Sequence, residues 1–283
     1  MFDPFLVLIA CFVGVFGACA GSFLNVCIYR IPRDESVVHP RSHCPHCNTL
    51  IPWYLNIPVI SWILLRGRCR FCRGPISPRY ILVELLTAAL FLAILFQQAE
   101  YPRLLGMQTI DDWRLVPVYI LFIGGLILGT FVDLEHMIIP DSVTIGGIVA
   151  GLALSPLVPS MHGSGVWHQG MLRSAIGAGV GFGLLLLIAY VGEKAFKKEA
   201  MGFGDVKLMG AVGAFLGWKA VIFTMVGASL VGSLVGISLI LVGRSHMQSR
   251  LPFGPYLALA ALVWIYWGSS LWGAYIDLLR IGG

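Results

Sequence analysis

Three sets of residues in this chain combine side-chain types and spacings that could do chemistry. The first is Cys44-Pro45-His46-Cys47 and, 21 residues further on, Cys69-Arg70-Phe71-Cys72. A C-x2-C turn lets two thiolates reach one metal, and two such turns complete the tetrahedron that zinc prefers. A site closed by Cys44, Cys47, Cys69 and Cys72 leaves no open position for water or substrate. Its zinc would be structural, folding a segment of about fifty residues that has little core of its own. Disulfides or free thiols are the other reading, and a reducing compartment disfavours disulfides. His39, His43 and His46 lie close by and are expected at the surface rather than in place of a cysteine ligand.

The second set is acidic. Asp133 closes an apolar run that continues as Leu-Glu-His-Met-Ile-Ile-Pro-Asp141, and Asp205 opens another in Gly202-Phe203-Gly204-Asp205. An ionisable group at membrane depth costs several kcal/mol, so it marks a functional site by default. Two facing carboxylates resist ionising together and share a proton. One then takes a proton from water while its protonated partner polarises a carbonyl, which is aspartyl-protease chemistry. Asp133 and Asp205 are therefore the candidate catalytic pair. The plainer reading makes them interfacial caps, or partners of Lys207 and the nearby basic loop.

The third set is a scatter of further acids. Asp141, between Pro140 and Ser142, is expected to N-cap the following segment. Glu135 and His136 are expected at the interface, and Glu84 beside a loop cation such as Arg79. Glycines flanking Phe203 permit a sharp turn or a close approach of two backbones.

The elements that must position these groups are apolar helices. Of the 283 residues 58% are hydrophobic and only 12% charged, with a mean hydropathy of +0.85. No single water-soluble core hides that much hydrocarbon, so the solvent is lipid. Eight apolar segments are predicted: Phe5–Ile28, Tyr80–Phe96, Val116–Val132, Ile138–Val158, Leu172–Val191, Val206–Leu216, Ala220–Val242 and Pro252–Gly268. The fold class is an all-α polytopic membrane protein of about eight transmembrane helices with a small cytoplasmic zinc-binding loop domain. Three regions follow: a first helix over 1–29, a four-cysteine loop over 30–79, and a membrane-embedded peptidase region over 80–283.

Fourteen of the 19 Lys and Arg residues fall on one side of this arrangement, among them Arg30, Arg33, Arg41, Arg66, Arg68, Arg70, Arg73, Arg79, Lys194, Lys197, Lys198, Lys207, Arg244 and Arg250. Arg103, Arg114, Arg173, Lys219 and Arg280 fall on the other. Positive charge stays inside, which places both termini outside and the large loop in the cytoplasm. Asp133, Asp141 and Asp205 then share the cytoplasmic edge. The N-terminal run lacks a positive n-region and does not read as a cleavable signal. Leu55–Leu65 is too short to span a bilayer and is expected at the interface or under the loop. The net charge of +5 forms no basic stripe interleaved with aromatics, so nucleic acid is not an expected partner.

Together these residues resemble the bacterial prepilin peptidases, also called type IV leader peptidases. The resemblance rests on Gly21-Ser-Phe-Leu-Asn-Val-Cys-Ile-Tyr-Arg-Ile-Pro32, the double C-x2-C loop, Asp133 through Asp141, Gly202-Phe-Gly-Asp205 and Pro252-Phe-Gly-Pro-Tyr256. It runs over nearly the whole chain in order, while Val143–Met201 carries little motif. It implies an enzyme of the bacterial inner membrane that cuts the basic leader from type IV prepilins or pseudopilins after a glycine, at the cytoplasmic face. Asp133 and Asp205 match that family's catalytic aspartates. The cysteine loop implies a second activity, methylation of the new N-terminus with S-adenosylmethionine, for which no binding residues are identified. Other readings are a presenilin-like protease, a proton-coupled transporter with paired acids at mid-membrane, and a zinc-ribbon scaffold of a secretion system.

Overall fold

The computed structural model describes residues 4–97, 111–197, 201–242 and 251–281. Arg103, Lys198, Arg244 and Arg250, used in the charge count above, lie outside them. No strand occurs among the described residues; the only ladder-like pairings are two isolated bridges in the cysteine loop. The chain forms two compact units, Met1–Phe96 and Gln97–Gly283.

In the first unit α1 (Pro4–Arg30) lies against α3 (Arg79–Phe96), and α2 (Ile60–Leu64) is a single short helix in the intervening loop. Glycines set the approach of α1 to α3. A methyl group on Gly17 would sit 2.7 Å from Ala88 Cα, and one on Gly21 would sit 2.7 Å from Glu84 Cα. Four residues apart on one helix face, these glycines let the two backbones touch, a packing that helices in lipid favour because tails offer no hydrophobic drive. Asn25 extends the seam by donating to the Tyr80 carbonyl. Arg30, buried at the end of α1, donates to the Ser36 and Pro40 carbonyls and so anchors the start of the loop. Much of the Gly21–Pro32 motif is therefore structural. Leu8, Phe12, Val15 and Phe16 stand exposed on the free face of α1, as a lipid-facing surface requires.

The second unit contains α4 (Leu115–His136), α5 (Asp141–Leu154), α6 (Trp167–Phe196), α7 (Phe203–Leu241) and α8 (Gly254–Ile281). Two of the predicted segments, Val206–Leu216 and Ala220–Val242, are one 39-residue helix with a break at Gly217, where φ is 82° and ψ 172°. That conformation suits glycine alone. The first half of α7 is buried almost throughout, whereas the second half exposes Val226, Leu230, Leu234 and Ile237.

Glycine faces of two neighbours enclose the buried half. From α5, methyls on Gly147 and Gly151 would lie 2.9 and 2.7 Å from the Cβ atoms of Ala211 and Ala214. From α6, methyls on Gly177 and Gly181 would lie 2.1 Å from the carbonyl oxygens of Gly213 and Met209. Phe122 of α4 stacks on Phe215 at 4.5 Å between ring centroids.

Among the described residues six helices are long and apolar enough to cross a membrane: Leu6–Arg33, Arg79–Phe96, Leu115–His136, Trp167–Ala195, Trp218–Leu241 and Gly254–Leu278. The chain is an all-helical, multi-pass membrane protein. The difference from eight segments has a simple cause. α5 has 14 residues, about 21 Å of rise against a hydrocarbon layer of about 30 Å, and the first half of α7 is equally short.

Candidate active site and metal centre

The cysteine cluster is built from two turns of the same design. In the first, the Cys44 amide donates to Thr49 O and the Asn48 amide to Cys44 O. In the second, the Cys69 amide donates to Gly74 O and the Arg73 amide to Cys69 O. Asn48 and Arg73 occupy the corresponding left-handed position, at φ 54° and 60°. Each turn thus folds its two sulfurs inward and its chain back on itself.

The four Sγ atoms lie within 4.8 Å of one another, and Cys44 Sγ stands 3.8 Å from Cys72 Sγ. Sulfurs about 2.3 Å from a tetrahedral zinc would be about 3.8 Å apart, so the cluster could hold a metal ion. All four are free thiols rather than disulfides. The Thr49 hydroxyl and amide hold the Cys47 thiol down to about 6. Amides of Cys72 and Phe71 lower that of Cys69. Against the Gly74 amide, which lowers it, burial and the neighbouring thiols push Cys72 up to about 11, so the four sulfurs do not ionise alike. His46 packs over Gly74 beside the cluster, where a glycine methyl would lie 2.8 Å from its ring.

Glu84 is buried on α3 and accepts the Val59 amide at 2.7 Å. Val59 has φ 62°, and the Ile60 amide reaches back to Pro58 O. Valine rarely adopts this tight three-residue turn, and the carboxylate holds it. Residues 25 positions apart carry no local pattern that marks this pairing.

In the second unit Asp133 occupies the last turn of α4. Met137 ends that helix in the left-handed conformation, its amide on Asp133 O. Ile138 and Ile139 lead to Pro140, and α5 begins at Asp141. Asp205 lies in the first turn of α7, behind the extended residue Gly202. Both carboxylate-bearing residues are buried, Asp133 at 5% and Asp205 at 8% exposure, and Asp205 is close enough to feel the charge of Asp133.

Two glycines and Ile139 account for the approach. A methyl on Gly254 would sit 2.7 Å from Asp133 Oδ2 and 3.0 Å from Ile139 Cδ1. A methyl on Gly204 would sit 3.3 Å from Ile139 Cβ. Ile139 therefore touches the backbone beside each acid. The Gly254 amide, at the N-terminus of α8, donates to Asp133 Oδ2 at 3.0 Å. Pro252-Phe-Gly-Pro-Tyr256 held the available signal, because proline just inside a helix start leaves the first amides free for a ligand or an acid.

Asp141 behaves differently from the expectation. It is the first residue of α5, whose N-cap is Pro140 with no side-chain cap. Its exposed carboxylate pairs with Lys207 at 2.5 Å. Lys207 thus belongs to Asp141, and a proline in extended backbone takes the place of the expected cap.

These features define a class: a multi-pass helical membrane protein with a four-thiolate cluster in one unit and a buried carboxylate pair in the other. The bacterial peptidase A24 N-terminal domain matches residues 15–98, and the type IV leader peptidase family matches residues 120–237. A prepilin leader peptidase/N-methyltransferase of Aeromonas hydrophila is 38% identical over 93% of this chain and 92% of its own length. One of Myxococcus xanthus is 44% identical over 86% of this chain and 67% of its own. One of Legionella pneumophila is 31% identical over 93% of each. No solved structure matches the chain. The chain belongs to the type IV leader peptidase family.

Proposed function

We propose that this protein is a membrane aspartic endopeptidase that removes the basic leader from type IV prepilins or pseudopilins, and that it methylates the N-terminus so exposed. What supports the peptidase reading is the burial of Asp133 and Asp205, 72 positions apart in sequence, at the ends of two helices where Ile139 touches the backbone beside each. The names of the relatives supply the substrate class and the second activity.

The pair shares one proton. The Gly254 amide and the positive end of α8 favour the negative charge on Asp133, so Asp133 takes the proton from the attacking water. Asp205, carrying the shared proton, donates to the scissile carbonyl. A prepilin offers a positive leader followed by an apolar helix. The helix lies among the spans, and the cut bond rests at the water boundary where the helix ends carry the two acids. By the excess of Lys and Arg on that side, counted with the short α5 and the first half of α7 passing through beside their neighbours, this is the cytoplasmic face of the bacterial inner membrane, with both termini outside.

The four thiolates would hold a structural zinc, which supplies no open coordination site and serves to fold the loop over 30–79. A methyl donor such as S-adenosylmethionine is implied by the second activity. The cleft lined by Asn25, Tyr29, Arg30, His43 and Tyr80 encloses about 80 Å³, well below the usual few hundred Å³ of a cofactor site. It does not fit an adenosine-bearing cofactor.

Purified protein incubated with a type IV prepilin tests the reading, with leader loss and N-terminal mass both followed. Leader loss by the wild type but not by Asp133→Asn or Asp205→Asn supports the dyad. Cleavage by either variant removes it. A mass gain of one methyl group supports the second activity.

A further inference from the structure

The second unit contains a cavity of about 460 Å³ lined by His162, Arg173, Gly217, Trp218, Lys219 and Trp264. It opens where α7 breaks, at the end of the buried half-helix that starts with Asp205. Among the described residues neither of its two cations has a carboxylate partner. Salt bridges elsewhere join Arg114 with Asp112 and Lys207 with Asp141. Asp112, which reaches this end of the unit through Ser160, is already held by both groups. Arg173 spends one nitrogen on the carbonyls of His162 and Gly163. Lys219 stands over the rings of Trp218 and Trp272.

Cations at a membrane-crossing helix end, without an acid, call for an anion. The surroundings point to its source. Next to Arg173 on α6, Leu172 and Ile176 are exposed, and beyond Lys219 on α7 so are Val226 and Leu230. These apolar faces run from the cavity along two candidate spans. Trp218, Trp264, Trp272 and Tyr275 form a connected aromatic cluster, of the kind that sits at a membrane–water boundary. The elements at this end, α5 and the first half of α7, are too short to cross a full hydrocarbon layer.

We infer that this cavity is a binding site for the phosphate of an anionic phospholipid, with the headgroup between Arg173 and Lys219 and the acyl chains along α6 and the second half of α7. The guanidinium and ammonium give charge-assisted bonds to phosphate oxygens, and His162, neutral because burial holds it down to about 4, lines the wall. The site lies apart from the carboxylate pair and does not depend on the peptidase reading.

Native mass spectrometry of the full-length protein in mild detergent tests it, titrated with phosphatidylglycerol, phosphatidylethanolamine or inorganic phosphate. The wild type is expected to retain phosphatidylglycerol at roughly ten-fold lower concentration than phosphatidylethanolamine. Arg173→Gln with Lys219→Gln should lose that preference, and Arg173→Lys should keep most of it. Equal retention of the two lipids by the wild type overturns the proposal even if the double variant does not fold. So does an unchanged preference in a folded double variant. Displacement of phosphatidylglycerol by millimolar inorganic phosphate would make the ligand a free anion and overturn the lipid assignment.

Discussion

The Gly254 amide donates to Asp133 Oδ2 at 3.0 Å, joining residues 121 positions apart. The bond exists because position 254 has no side chain: an added methyl would fall 2.7 Å from the oxygen it serves. Gly254→Ala must therefore move either Asp133 or the start of α8. Cleavage should fall by roughly ten-fold or more, because small misplacements of reacting groups cost that much. A thermal melt alongside prepilin cleavage checks this; wild-type activity in the variant would sever Gly254 from the site.

The three acids near this region should separate cleanly. Asp133→Asn and Asp205→Asn are expected to abolish cleavage in folded protein. Asp141→Asn removes only an exposed pair with Lys207, worth below about 1 kcal/mol, and should cleave at near wild-type rate. Loss of activity in Asp141→Asn comparable to the other two would put Lys207 and Asp141 in the mechanism.

Metal removal bears on the first unit. Purified protein should contain one zinc per chain, and Cys44→Ser with Cys72→Ser, or a strong chelator, should strip it. The loop then loses its organising centre, so methylation and protease resistance of residues 30–79 should suffer more than peptide-bond cleavage. Mass spectrometry showing folded, metal-free wild type would end the four-cysteine assignment.

The helix contacts predict a contrast on one helix. Gly177→Ala on α6 drives a methyl to 2.1 Å from the Gly213 carbonyl oxygen. It should destabilise by about 3 kcal/mol or more, since overpacking against backbone has no flexible side chain to yield. Gly179→Ala meets nothing within 4 Å and should be neutral or stabilising by about 0.5–1 kcal/mol. Comparable melting temperatures for the two variants would contradict the packing described.

His162 makes the second unit sensitive to acid. Burial depresses its imidazole to about 4, whereas an unfolded chain takes the proton near pH 6.5. Stability is therefore complete above about pH 6.5 and declines as pH falls toward 4, by an amount on the order of 3 kcal/mol. His162→Gln should flatten this part of the profile in melts recorded between pH 7 and 4. An unchanged slope would place the titration elsewhere.

What could be read in advance divides along physical lines. The membrane class, the thiolate cluster and the candidate acids are properties of composition and short spacing, legible at Cys44–Cys47, Cys69–Cys72 and Gly202–Asp205. The approach of helices was less so. Gly17 with Gly21, Gly147 with Gly151 and Gly177 with Gly181 have the same four-residue spacing. In a chain with 34 glycines that pattern does not announce its partner. The Gly254 bond to Asp133 and the Glu84 bond to Val59 depend on contacts distant in sequence, which local pattern does not encode. Asp141 shows the reverse error, a sound local rule overridden by Lys207 arriving from another helix.

The break at Gly217 bears on how the molecule is made. The stretch that carries Asp205 is too short to be taken up as a span in its own right, and its flanks of Gly210 and Gly213 present backbone rather than hydrocarbon. It enters the bilayer only in company, once α5 and α6 offer their glycine faces. A nascent chain thus seats Asp205 only as α7 docks on helices made before it, and this part of the fold is completed by assembly rather than by insertion alone.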